Sequence, residues 1–516
     1  LGKFIASHSA PQHYRTMRVR LPCDAGKIIV RARTPPTRSL SLLQHGVATF
    51  RYLGRRVALS SPWFLLVSNP NKNSVAIMDL SIILPVVNER DNLVVLIPRM
   101  RALMAREGID FEIIVIDGNS SDGTREAATE LGARVLPERR RGYAGAMETG
   151  FAEAHGDFVL TLDADMSHDP AFVSKMWRAR NQADIIIASR YVPGGVAYTS
   201  LGRDWLSRIL NFGLRRMLSM PVRDMSSGFR LYRREALADL DIQTMNFEVQ
   251  EEVLVKAYAQ GFSVHEIPFT YFPREAGRSH ARVVRFGISL AQTALKLWPL
   301  RNSIASADYD NRAFTSIIPL QRYWQRTRHR ITTSWARGAD RTLDIGCGSS
   351  VIIQSLNNAV GMDVNPGKLR FLRRYGIPLL RGSAFALPFK DGSFECVINS
   401  QVIEHIPFDE ALFSEMWRVL APGGTLIIGT PDYATRGWRI IEPLYGHLIP
   451  GGYKDEHITH YTRDSLSRIL IGQGFLFEET AYILRSELIM RWRKPLAEAT
   501  TETASVTSNA PAAAIA

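Results

Sequence analysis

The sequence predicts two α/β domains in series, on three observations. Between residues 80 and 137, apolar runs rich in Ile and Val alternate with helix-period stretches, the pattern of a doubly wound, mainly parallel sheet. A further apolar run, Phe158 to Leu162, ends on Asp163-Ala164-Asp165. About 180 residues later a short apolar run, Thr342 to Ile345, enters Gly346-Cys347-Gly348, a second and unrelated nucleotide-type turn. At 516 residues the chain exceeds one core, and 46% hydrophobic with 22% charged residues is ordinary globular composition.

The net charge of +13 invites a nucleic-acid reading, but it is localised. Residues 1–77 hold twelve Lys or Arg against the single acid Asp24, so the remainder is nearly neutral. This stretch has no sustained period of 2 or 3.6, and Met78 directly precedes the first convincing strand. It is expected to be a basic, disordered extension or upstream sequence without a role in the fold. A transit-type leader or an arm for anionic lipid is the alternative. A basic nucleic-acid-binding or membrane-scaffold protein with degenerate enzyme domains rests on this stretch alone, and no nucleic-acid partner is expected. Cys23, Cys347 and Cys396 give neither a disulfide framework nor metal spacing, which fits a reducing, cytoplasmic setting.

From residue 78 the order is strand Leu80–Val87, helix 91–107, strand Phe111–Ile116, helix 121–131 and strand Ala133–Pro137. In such sheets ligands gather beyond the carboxyl ends of the strands. The polar motifs fall there: Pro85-Val86-Val87-Asn88-Glu89, then Asp117-Gly118-Asn119-Ser120-Ser121-Asp122-Gly123. Asp117 suits a base edge or ribose hydroxyls. Gly142-Tyr143-Ala144-Gly145 brings backbone to a helix start where amides can meet phosphate. Asp163 and Asp165, one residue apart at a strand end, suit a hard divalent cation with positions open to phosphate oxygens.

These residues, over nearly all of 79–282, resemble the family-2 glycosyltransferases of GT-A fold. Asp163-Ala164-Asp165-Met166-Ser167-His168-Asp169-Pro170, Ser189-Arg190-Tyr191-Val192-Pro193-Gly194-Gly195 and Ser226-Ser227-Gly228-Phe229-Arg230 resemble the dolichol-phosphate mannosyltransferases and related polyprenyl-phosphate glycosyltransferases. The resemblance implies inverting sugar transfer from a nucleotide diphosphate donor, guanosine diphosphate mannose favoured, to a polyprenyl or dolichyl phosphate. It implies Mg²⁺ or Mn²⁺ on Asp163 and Asp165, and donor contacts at Pro85, Val87, Glu89, Asp117 and Asp163. Arg190, Arg203, Ser207 and Arg274 would line the acceptor phosphate and donor pyrophosphate. Chemistry independently favours a phosphate acceptor, which is already ionised and needs cations rather than a general base, and Arg190, Arg203, Arg208, Arg230, Arg274 and Arg278 lie along this half. Two departures stand out: Ser167 occupies a position where relatives often carry Gln, and Gly277-Arg278-Ser279-His280 replaces Gly-x-Ser-Lys.

The second domain, residues 336–495, continues with Val360-Gly361-Met362-Asp363, whose acid can bind ribose hydroxyls, and Leu387-Pro388-Phe389. Ser393 to Asn399, Glu404-His405-Ile406 and Leu420-Ala421-Pro422-Gly423-Gly424 follow. The ordered set resembles the class I S-adenosylmethionine-dependent methyltransferases, of Rossmann-like fold. The resemblance places S-adenosylmethionine near Asp344, Gly346, Gly348, Asp363, Ser383 and Asn399. A dehydrogenase is the rival for Gly-x-Gly plus acid, but the third dinucleotide glycine is absent, and Ser350 stands where many methyltransferases have Gly. His405 beside Glu404 is a base for methyl transfer or else merely shapes the pocket. Asp455 to Thr462 is expected to form part of a substrate lid, and its acids and histidines read as a hydrogen-bonded loop before a metal site.

Residues 283–335 are expected to form a linker with an amphipathic helix at 283–300, surface-lying or packed on the domain, and no transmembrane helix is expected. Residues 496–516 are predicted to be disordered. The whole implies a bifunctional enzyme, peripheral at the cytoplasmic face of a membrane. The alternative is a glycosyltransferase with a soluble or glycan hydroxyl acceptor whose product the methyltransferase tailors.

Overall fold

The computed structural model describes residues 78–272, 283–448 and 457–496, together with four strands near the start. Those strands are β1 (Arg15–Val19), β2 (Ile28–Ala32), β3 (Ala48–Tyr52) and β4 (Arg55–Leu59). They pair as two antiparallel hairpins, Arg15 opposite Ala32 and Ala48 opposite Leu59, within a unit of residues 1–75. Strand structure was not expected there, and five-residue strands are too short to register as a sustained period.

The first catalytic-type domain is built on β5 (Leu80–Val86), β6 (Phe111–Asp117), β7 (Arg134–Pro137), β8 (Phe158–Thr161) and β9 (Ile185–Ser189). The short strand β10 (Val196–Ala197) precedes β11 (Arg230–Arg233), β12 (Val264–Pro268) and β13 (Thr270–Tyr271). The sheet order is β12-β9-β11-β8-β5-β6-β7, parallel except for β11, which runs against both β8 and β9. Period-2 alternation explains why these strands read as continuous apolar runs, since each feeds two cores. Leu80, Ile82, Leu84 and Val86 face one core with α1 (Arg90–Glu107), while Ile83 faces the other with α3 (Tyr143–Glu153). Gly150 of α3 lies where a Cβ would stand 2.5 Å from Ile83 Cγ2, so glycine sets the closeness of helix to sheet. The helices α2 (Thr124–Glu130), α4 (Val173–Ala179), α5 (Leu201–Met217) and α6 (Val249–Ala259) complete the layers.

The linker is helical. The helix α7 (Val283–Arg301) buries Leu290, Ala294 and Leu297, spaced by four and three residues, in the first domain's second core. After α8 (Tyr309–Phe314), α9 (Pro319–Trp335) packs Trp324, Ile331 and Trp335 on the second domain instead. Arg328 Nε donates to Glu487 Oε1 at 2.6 Å there. No helix among the described residues is long and apolar enough to cross a membrane.

The second domain has strands β14 (Thr342–Ile345), β15 (Ala359–Asp363), β16 (Leu379–Arg381), β17 (Phe394–Ser400), β18 (Leu420–Pro431), β19 (Leu476–Ile483) and β20 (Glu487–Arg493). Their order is β16-β15-β14-β17-β18-β20-β19, with β20 antiparallel to both of its neighbours. The order in which the chain adds strands reverses between β14 and β17, which are parallel, and such a switch point opens a crevice beyond the carboxyl ends of the strands. The helices are α10 (Val351–Gln354), α11 (Pro366–Leu372), α12 (Glu410–Val419), α13 (Arg436–Leu448) and α14 (Arg463–Gly472). The predicted disordered end lies, apart from Leu496, outside the described residues.

Candidate functional sites

In the first domain, the carboxyl ends of β5, β6 and β8 bring together the predicted donor residues. Asn88 adopts a left-handed φ of 56° and accepts the Ser121 amide at 2.8 Å, which ties the turn after β5 to the turn after β6. Glu89 donates its amide to Thr124 Oγ1 at 2.9 Å, Pro85 is the penultimate residue of the strand and Val87 is exposed. Asp117 is buried at the tip of β6, where it accepts the Ser120 amide at 3.1 Å and Arg125 Nη2 at 2.7 Å. Burial pushes its carboxyl up, but these hydrogen bonds and the Arg125 charge outweigh that and hold it below the usual range.

Beyond β8, Asp163 is half-buried and Asp165 buried. Ser167 donates to Asp165 Oδ1 through both its hydroxyl, at 2.6 Å, and its amide, at 3.1 Å. The serine at this position therefore orients the carboxylate. The Asp163 amide donates to His168 Nδ1 at 3.0 Å. Burial lowers the His168 pKa against the pull of both aspartates, which agrees with a neutral ring accepting at Nδ1. Tyr143 Oη reaches Asp163 Oδ1 at 3.5 Å and accepts Gln250 Nε2 at 2.9 Å. Sequence reasoning missed Gln250, which carries no motif and is brought here by α6.

The arginine predictions divide. Arg190 directs Nε and Nη2 at Asp224, at 2.8 and 2.7 Å, and Nη2 also donates to Ser226 at 2.8 Å. Burial lowers its pKa and Asp224 more than reverses that. Arg230 is wholly buried and donates to the carbonyls of Gln250 and Met225, a structural role. Ser207 on α5 accepts the Tyr191 hydroxyl at 2.7 Å. Arg203 is on α5, but its side chain lies outside the described residues, as do Arg274 and Arg278 entirely. The expected phosphate cradle at Gly142–Gly145 takes a different form. The Gly142 amide donates to Glu138 Oε2 at 3.1 Å and the Ala144 amide to the Met245 carbonyl at 3.2 Å. Glycine at 142 (φ +103°) instead admits the Met245 carbonyl, which a Cβ would meet at 2.6 Å.

In the second domain a cavity of about 610 Å³ opens at the switch point, and its lining includes Asp344, Gly346, Gly348, Asp363, Ser383 and His405. Gly346 and Gly348 have φ of +71° and +56°, and a Cβ on Gly346 would stand 2.3 Å from Val402. Asp363 accepts the Gly348 amide at 2.8 Å and the Asn365 amide at 2.8 Å, which fixes its carboxylate at the end of β15. Ser350 caps α10, accepting the Ile352 amide at 3.0 Å, so a helix cap accounts for serine at that position. Burial, with Asp363 adding repulsion, raises the Asp344 carboxyl to about 7. Asn399 does not line the cavity. It is buried in β17, where its side-chain amide faces the Ile345 carbonyl at 3.4 Å. Sequence reasoning also missed Asp310, which α8 brings to the cavity wall. Asp310 accepts the Ser349 amide at 3.1 Å and Lys368 Nζ at 3.2 Å, locking the glycine turn from outside the domain.

Residues 81–241 match the family model "Glycosyl transferase family 2", and residues 343–428 match "Methyltransferase domain". The dolichol-phosphate mannosyltransferase of Pyrococcus furiosus is 34% identical over 217 residues, covering 39% of this chain and 59% of that protein. The chain thus spans less than two thirds of that relative. The polyprenol monophosphomannose synthase of Mycolicibacterium smegmatis is 34% identical over 219 residues, 38% of this chain and 79% of that protein. Among solved structures, glucosyl-3-phosphoglycerate synthase from Mycobacterium tuberculosis, in complex with Mn²⁺ and uridine diphosphate, is 21% identical. It covers 43% of this chain and 80% of its own, with a TM-score of 0.36. A SAM-dependent methyltransferase from Thermotoga maritima is 21% identical, covering 36% and 94%, with a TM-score of 0.31.

Proposed function

The chain belongs to glycosyl transferase family 2 and carries a methyltransferase domain behind it, and from that premise we propose that it is a bifunctional enzyme. The first domain transfers a sugar, mannose favoured, from a nucleotide diphosphate to a polyprenyl phosphate with inversion. The second methylates an acceptor with S-adenosylmethionine. Two relatives named for mannose transfer to dolichol or polyprenol support the lipid phosphate.

The observation that carries this reading is the stretch from Asp163 to α5. The carboxylates of Asp163 and Asp165 fit a hard divalent cation, Mg²⁺ or Mn²⁺, which when bound offsets charge on the departing diphosphate. Ser167 holds Asp165 in position for it. Asp117 and the turn after β5 would receive the nucleoside. The acceptor phosphate oxygen needs no base, so the domain's part is to align it behind the anomeric carbon, with Arg203 and Ser207 of α5 and Arg274 as the proposed contacts. That same helix leaves Leu201, Trp205, Ile209 and Phe212 exposed at 90, 67, 44 and 64%. Their spacing of four, four and three makes one apolar face, suited to lying in a bilayer surface where a polyprenyl tail is held. The exposed Ile288 and Leu295 of α7, a helix that contacts α5, extend the reading to peripheral membrane association.

In the second domain the cavity is of a size for S-adenosylmethionine. Asp363 would take the ribose, the Gly346 and Gly348 turn the methionine end, and Asp344 the positive charge.

The deciding experiment incubates the full chain with Mg²⁺ or Mn²⁺, a polyprenyl phosphate and a panel of nucleotide sugars, with and without S-adenosylmethionine. Mass spectrometry should find a sugar lipid, and a methylated form of it only when the methyl donor is present. Transfer to glycan hydroxyls with polyprenyl phosphate untouched would overturn the lipid-phosphate reading.

A further inference from the structure

Glu404 and His405 lie on a single 3-10 turn after β17, and the loop bearing His457 is hydrogen-bonded onto that turn. The Ile458 and Thr459 amides donate to the Glu404 carbonyl at 2.7 and 3.1 Å. The three residues each offer one ligating atom, all within 4.8 Å of one another, and the His405 and His457 rings stand 4.9 Å apart. Glu404 is fully buried. Its Oε2 accepts Thr430 Oγ1 at 3.2 Å, while Oε1 has no hydrogen-bond partner among the described residues. A buried carboxyl oxygen left without a partner, in a residue whose carboxyl group neighbours two imidazoles, is costly unless something binds it. His457 Nδ1 lies 3.1 Å from Glu442 Oε1 and 2.7 Å from the Tyr433 hydroxyl, which itself donates to Glu442 at 2.7 Å. A carboxylate holding Nδ1 directs Nε2 at a cation, the usual outer support of a ligating histidine. His405 and Ile458 also line the S-adenosylmethionine cavity, so the cluster adjoins the place of methyl transfer.

We propose that Glu404, His405 and His457 bind one divalent transition-metal cation at the acceptor end of the S-adenosylmethionine cavity, where it holds and ionises the hydroxyl that receives the methyl group. Two imidazoles and one carboxylate suit such a cation, and three protein ligands leave positions open for a substrate oxygen. The three atoms already lie within 4.8 Å of one another, and bonds of about 2.0–2.1 Å to a shared cation need only small side-chain adjustments. The substrate hydroxyl coordinates and gives up its proton to solvent. Its oxygen then forms a bond to the methyl carbon as the carbon–sulfur bond breaks. The bonding pair stays on sulfur, which leaves as neutral S-adenosylhomocysteine. Glu404 and the alkoxide offset the charges of cation and sulfonium. The acceptor class is accordingly a hydroxyl, as on a sugar. This rests on the second domain being a methyltransferase.

The test strips the full-length chain with chelator and titrates it with Co²⁺ alone, nucleotide omitted, following the visible absorption of bound cobalt. Wild type should show a saturable band that His405→Gln and His457→Gln lose and Asp165→Asn keeps. Glu442→Gln, which removes only the support, should weaken binding by about 10–100-fold. A thermal melt on each variant confirms folding. No band in wild type, a band that survives both histidine substitutions, or one lost in Asp165→Asn overturns the proposal. Calorimetry with S-adenosylmethionine on the same samples separates the two claims. Binding of the methyl donor without a cobalt band overturns the metal site and leaves the methyltransferase reading standing. A cobalt band without donor binding supports the site and overturns that reading.

Discussion

Asp165 and Asp224 are both buried aspartates with opposite tasks. Asp165 is turned by Ser167 towards the proposed cation, so Asp165→Asn should lower sugar transfer by about 10²-fold or more, measured as kcat with saturating metal. Asp224 is occupied by the Arg190 fork. Asp224→Asn should cost about 3–5 kcal/mol in urea unfolding, because it leaves a guanidinium with little exposure without its counter-charge. Burial raises the Asp224 carboxyl and Arg190 more than cancels that, so its contribution is complete above the usual carboxylate range and fades as pH falls through the lowered value. Asp344 has the reverse sign. With its carboxyl raised to about 7, the ligand-free protein loses stability as pH climbs from the ordinary carboxylate range to about 7. Affinity for the cationic methyl donor should climb over the same window and level off above it. Calorimetry between pH 6 and 8 (about one unit either side) would show this, and Asp344→Asn should flatten the profile.

At the scale of elements, α5 joins chemistry to surface. Ser207 faces Tyr191 while Trp205 and Phe212 face outwards, a split that a helical period makes possible within two turns. Replacing Trp205 and Phe212 together by Ser should leave the melting temperature nearly unchanged, since neither is packed. Binding to phospholipid vesicles should weaken by about 100-fold or more, at about 1.5–3 kcal/mol for each buried apolar side chain. Equal vesicle binding by variant and wild type in a sedimentation assay would remove α5 from the membrane contact. Of the two expectations for α7, packing on the domain is the one the structure shows. Leu290, Ala294 and Leu297 pack into the domain, and Ile288 and Leu295 remain outside.

For the whole molecule, the second catalytic-type domain is packed against the first. Arg370 lies 3.8 Å from the centre of the Phe262 ring and donates to the Gln260 carbonyl at 2.6 Å. Gly261 has φ +89°, and a Cβ there would meet the Gly367 carbonyl at 2.2 Å. Gly261→Ala should therefore cost about 1–3 kcal/mol and resolve one calorimetric unfolding transition into two as the domains separate. Much of this was legible in the residues. Strands buried on both faces read as unbroken apolar runs, and motifs at strand ends such as Asp163 to Asp165 or Thr342 to Gly348 are local because a turn and its ligand groups are contiguous in the chain. What the local pattern missed depends on distant pairings. Nothing near Asp224 in sequence announces Arg190, nothing near Asp310 announces the glycine turn it braces, and Asn399 reads as a cavity residue until β17 is seen to bury it. The two α/β domains, their order and the two strand-end motifs could be read from the residues alone, because backbone period and turn chemistry act over a few residues. Which charged groups are neutralised by partners, where the His457 loop meets Glu404, and which faces of α5 and α7 stay exposed were set by the folded molecule. Those outcomes depend on burial and on contacts between residues far apart in the chain.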